Sequence, residues 1–227
     1  WRAEIGTAAA LQHRQQYEEC TNMSPVYPWR GFREHVSTGH LSKHNPMCKL
    51  RDRHDAFNLV VLLPVITLNL VNWDRSGWHG RYFLSFWWVT FAYFAVDATL
   101  IALFPRCVRS PRVILQHHSV TLAYILVPLI KRQYAWLMGT CLLVEVNTWF
   151  LIARRHFKIF NFAFYFTWVL IRLLIYPLLF FVIFFTYQDH SHKVGTRFNL
   201  LFFAPLFQSV FIFLNFKWTR DLLRRKH

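Results

Sequence analysis

Six apolar runs separated by short basic connections govern what this chain can fold into. They cover roughly 56–73, 82–104, 113–130, 134–153, 159–187 and 198–216, each near or above the ~20 residues that a helix needs to cross a bilayer. A soluble domain of 227 residues would not carry such uncharged stretches, so the fold class is all-α integral membrane, a six-helix bundle. Prolines 64, 128, 177 and 205 fall inside the runs, where neighbouring helices can satisfy the carbonyls that a proline frees. The fifth run is long enough to tilt or protrude.

The net charge of +15 does not indicate nucleic acid, because the basic residues lie between apolar runs rather than on one folded face. They report topology and contact with anionic headgroups. Arg106, Arg109 and Arg112, then Arg154, Arg155 and Lys158, share a side with Lys49, Arg51 and Arg53 and with the tail from Lys217 to Lys226. The opposite loops hold fewer cations, so both termini are expected on the cytoplasmic side, or the matrix side in a mitochondrion. Residues 221–227 form a basic tail. Cys20, Cys48, Cys107 and Cys141 lie in four separate segments with no CxxC pair, which indicates neither zinc nor a disulfide framework.

Residues 1–55 are polar and lack an apolar pattern that could build a core. Asn45-Pro46 reads as a breaker within a loop, and His35, His40 and His44 as a solvated loop rather than a metal cluster. Such an arm is expected to dock on a protein partner, because ordering it requires surface from elsewhere to offset its entropy.

The chemistry lies where polar residues interrupt the apolar runs. The third run carries His117-His118-Ser-Val-Thr121, with His117 and Thr121 one helical turn apart. The runs hold just two carboxylates, Asp97 and Glu145, and one interior arginine, Arg172. Counting along antiparallel helices places Asp97, His117, Glu145 and Gln208 within roughly 6–13 Å of the cytoplasmic boundary, with Arg172 deeper. Ionisable groups at such depth face a bundle interior or a wet cavity. A purely structural ion network of Asp97, Glu145 and Arg172 is the competing reading.

These motifs in this order resemble the TLC-domain family, which includes ceramide synthases and translocon-associated membrane proteins. The resemblance rests on His117-His118-x-x-Thr121, the preceding Asp97, Leu143-Val-Glu145-Val-Asn-Thr148-Trp-Phe150 with Arg154, and Arg172 with Pro177. It covers 56–220 and implies a bundle around a central cavity that accepts a lipid chain. Thr121, Glu145, Thr148, Arg172 and Gln208 would then line the cavity. In a synthase His117 or His118 would act as nucleophile or base on an acyl-CoA substrate, with Asp97 orienting it. The H-D-x-x-D element of synthases is replaced by Leu143-Val-Glu145-Val-Asn147-Thr148, which points to the non-synthase branch.

The resemblance implies a bound lipid but no further cofactor, and an endoplasmic reticulum location, with the mitochondrial inner membrane as the alternative. Two functions follow: lipid handling in the bundle, or a non-catalytic accessory role in a larger membrane complex. An acyl-CoA-dependent acyltransferase ranks below both. The iron-binding histidine boxes of desaturases, G-x-S-x-G and the phosphate-binding glycine loops are missing. A transporter would need inverted repeats or glycine-broken helices, and neither is visible.

Overall fold

A computed structural model describes residues 46–224, with side chains described from Cys48 onward. Residues 1–45, and with them His35, His40, His44 and most of the expected docking arm, lie outside the described residues, as do 225–227. Nearly all described residues are helical, and five helices are long and apolar enough to cross a membrane. The protein is an all-α integral membrane protein.

Helix α1 spans Pro46–Leu70. Residues 46–55 of the polar stretch are therefore helical and continuous with the first apolar run. Pro46 is helical rather than a breaker within a loop. α1 is not among the five membrane-length apolar helices, since its first half carries Lys49, Arg51, Asp52, Arg53, His54 and Asp55.

A two-residue hairpin, β1 (Trp73–Asp74) and β2 (Gly77–Trp78), closes the turn into α2, Phe83–Leu103. The buried positions of α2, among them Phe83, Phe86, Thr90, Asp97 and Ile101, recur at three- and four-residue intervals. That stripe faces α1 and α3.

The next three membrane-length stretches are each broken. The first of them consists of α3 (Pro111–Tyr124) and α4 (Leu126–Ile130), interrupted at Ile125 upstream of Pro128. Trp87 Nε1 donates to the Ile125 carbonyl at 2.8 Å, so the break leaves no dry acceptor there. The second divides into α5 (Ala135–Cys141) and α6 (Val144–His156), and the Tyr176 hydroxyl donates to the Cys141 carbonyl at the joint. The last begins with α7 (Asn161–Thr167) and widens to π-helix over Trp168–Ile175. It continues as α8, Tyr176–Val194. Pro177 follows the widened turn at once, and Gln208 Nε2 donates to the Tyr176 carbonyl at 3.0 Å. α9, Phe203–Arg224, packs on α8 and α3.

Away from the histidines, Asn69 joins three elements. Its Nδ2 donates to the Gly139 carbonyl at 2.9 Å and its Oδ1 accepts from Trp78 Nε1 at 3.2 Å. Gly139 has to be glycine for this closure, because a Cβ there would lie 2.2 Å from the indole nitrogen. Cys107 and Cys141 are free and buried, whereas Cys48 is disulfide-bonded, which the cysteine spacing had not indicated.

Candidate functional site

Asp97 is the hub of the first polar cluster. Its side chain is buried on α2, and its carboxylate accepts from three groups on two other helices. His118 Nε2 of α3 donates to Oδ2 at 2.6 Å. His54 Nε2 and Asn58 Nδ2 of α1 donate to Oδ1 at 2.8 and 3.2 Å. Tyr93 holds the asparagine in turn, its hydroxyl donating to Asn58 Oδ1 at 2.8 Å. A carboxylate only accepts, so both imidazoles present Nε2–H to it, and Nδ1 becomes the acceptor of each neutral ring. His118 is 5% exposed and its Nδ1 has no hydrogen-bond partner.

His117 does not touch Asp97. It points toward α9 among aromatic edges, with ring centroids 5.6 Å from Phe211, 5.5 Å from Trp218 and 6.3 Å from Phe94. It is half-buried, and its Nδ1 also lacks a partner. The two adjacent histidines therefore separate by role, one fixed by a carboxylate and one held by rings.

Arg172 projects from the π-helical segment into a second cluster. Its Nε donates to Asn147 Oδ1 at 2.6 Å, Nη1 to Asn215 Oδ1 at 2.8 Å and Nη2 to Thr148 Oγ1 at 3.1 Å. Its guanidinium lies 4.9 Å from the Trp168 ring and 5.4 Å from that of Trp218. Asn147 is fully engaged, since its Nδ2 donates to Thr167 Oγ1 at 2.9 Å and to the Phe164 carbonyl. No salt bridge joins Arg172 to a carboxylate among the described residues. In place of the ion network of Asp97, Glu145 and Arg172 that was the competing reading, two amides and a hydroxyl engage the guanidinium. Glu145 is buried close to Arg172, His118 and Asp97, with Thr148 as its side-chain partner.

Other expected lining residues have structural duties. The Thr121 hydroxyl donates to its own helix at the His117 carbonyl, 2.9 Å away. Gln208 is wholly buried on the Tyr176 carbonyl, with Cys141 beside it. Thr148 belongs to the Arg172 cluster. Reading from sequence missed His54 and Asn58, which lay in or beside the segment assigned to the arm. Their signal is present: His54-x-x-x-Asn58 places two polar side chains one turn apart on a single face.

Below these clusters Asp55 accepts from Arg155 Nη1 at 2.8 and 3.0 Å, and His156 Nε2 lies 3.8 Å away. Burial raises the Asp55 carboxyl, but Arg155, His156 and Arg51 together outweigh it and hold it below the ordinary carboxylate range.

No protein-family model, no curated protein and no solved structure matches this chain.

Proposed function

We propose that this chain is a TLC-like multi-pass membrane protein, with α1 as the first of six spans, that handles a lipid in its helix bundle without ceramide synthase chemistry. One observation carries the reading. His118 uses Nε2 on Asp97 and leaves Nδ1 open inside an apolar bundle, and His117, its ring centroid 5.6 Å away, has an open Nδ1 as well. A buried polar atom without a partner costs about 1–3 kcal/mol, which a polar group of a resident lipid would offset. The resemblance adds the endoplasmic reticulum as location, with the mitochondrial inner membrane as the alternative.

The test is mass spectrometry of lipids retained by the protein purified in mild detergent. The wild type should carry a defined acyl lipid, and His117→Ala/His118→Ala should retain about tenfold less with the bundle still folded. Equal retention, or none in either, would sink the reading. The same proteins decide the acyltransferase alternative. Transfer from acyl-CoA by the wild type, lost in the double variant by a factor of about 10²–10⁴, would make His118 a general base oriented by Asp97.

A second reading is an accessory subunit of a larger complex. It draws support from Arg172, whose three side-chain partners are neutral groups on α6 and α9, so that its bonds tie helices together. Migration as one large assembly without a co-purifying lipid would favour it.

A further inference from the structure

Arg172 and Asn215 together have hydrogen-bond donors that nothing in the protein accepts. Of the five N–H donors of a guanidinium, three are engaged, on Nε, Nη1 and Nη2. One remains on each terminal nitrogen, and a guanidinium N–H makes its strongest hydrogen bonds to an anion. Asn215 is 3% exposed, and its orientation follows from Arg172. Nη1 can only donate, so the amide must present Oδ1 to it, and Nδ2 turns away. That Nδ2 is buried without a partner.

His117 borders the same place. It packs on Phe211 and Trp218 of α9, and Asn215 lies between them on the helix at four- and three-residue spacing, on one face. Trp218 touches both the His117 ring and the Arg172 guanidinium. His117 and Trp218 are half-buried, so this end of the cluster reaches the lipid-facing surface where α3 packs on α9. The nearby Glu145 has Thr148 as its partner and makes no salt bridge with the guanidinium.

We propose that Arg172, Asn215 Nδ2 and His117 bind the carboxylate of a fatty acid, the chain lying against α3 and α9. The two spare N–H groups of Arg172 and the Asn215 amide would take the carboxylate oxygens, while His117, neutral, would donate Nδ1–H to the outer oxygen. This deepens the lipid-handling reading and rests on it.

The experiment is equilibrium binding of radiolabelled oleate to the purified full chain in detergent. Methyl oleate and dioleoyl phosphatidic acid serve as competitors, and Asn215→Asp and Asn215→Leu as variants. In Asn215→Asp one oxygen still accepts from Arg172 and the other occupies the position of the anion, so the bundle keeps its melting temperature. Oleate should bind stoichiometrically, methyl oleate should compete at least tenfold more weakly, and both variants should lose at least tenfold in oleate affinity. Should Asn215→Leu not fold, Asn215→Asp alone carries the test. Methyl oleate competing as well as oleate, or Asn215→Asp binding as the wild type does, would overturn the anion site and leave lipid handling standing. Preference for phosphatidic acid over oleate would overturn the carboxylate assignment. Failure of every lipid to bind would remove the anion site and lipid handling together.

Discussion

Where α1 ends, Asn69 joins a hairpin and α5 through neutral groups only; near the start of α1, Asp97 joins three helices through a charge. The Asn69 junction is complete, because the amide oxygen, the amide nitrogen and the indole N–H each have a partner. The Asp97 junction is complete at the carboxylate but leaves an open ring nitrogen on His118. A closed neutral network makes a rigid joint and nothing more. One that ends in an unused donor or acceptor keeps a valence open to a ligand, at a cost in stability. The Arg172 cluster is of this second type, its unused group on Asn215 being a donor.

The comparison breaks first at Asp97. Asp97→Ala leaves two imidazoles and the Asn58 amide facing a dry void, and should lower unfolding stability by about 3–5 kcal/mol. Asp97→Asn, which keeps an acceptor, should lose less. Denaturant titration in detergent reads both, and equal losses would mean that the charge of the hub is immaterial.

At the other end Gly139→Ala forces Trp78 out of its seat on α5, for an expected loss of about 1–3 kcal/mol by the same titration. Trp78 fluorescence should shift toward that of a solvated indole. An unchanged spectrum would show that the hairpin yields without leaving α5. Asn69→Ala removes two neutral hydrogen bonds, each worth about 0.5–1.5 kcal/mol. It should leave lipid retention untouched, whereas changes at His118 should not.

The smallest effect concerns acid. Asp55 is held below the ordinary carboxylate range, so it binds fewer protons in the folded chain than in the unfolded one. Its contribution is complete at neutral pH and is lost as the pH falls through the folded-state value. Stability of the wild type should decline below the ordinary carboxylate range, and Arg155→Gln should flatten that decline. A decline of the same size in the variant would assign the acid sensitivity to other groups.

Much of this was legible in the residues themselves. Long uncharged runs have one structural solution in a bilayer, because backbone polar groups must be satisfied internally. The helical membrane fold and the burial of Asp97, Glu145 and Arg172 therefore follow from composition and spacing. Which polar groups meet did not follow, and His54 illustrates why. It belongs to a charged stretch with no hydropathy signal, and only the packing of α1 on α2 brings its ring to Asp97. The breaks at Ile125 and Leu142 and the π-helical turn at Arg172 likewise depend on acceptors and donors from other helices. The sequence by itself determined the class and the inventory of buried charge, since the transfer cost of each residue is local. Tertiary structure decided the pairing, because a hydrogen bond between helices depends on rotation and register that no single helix carries.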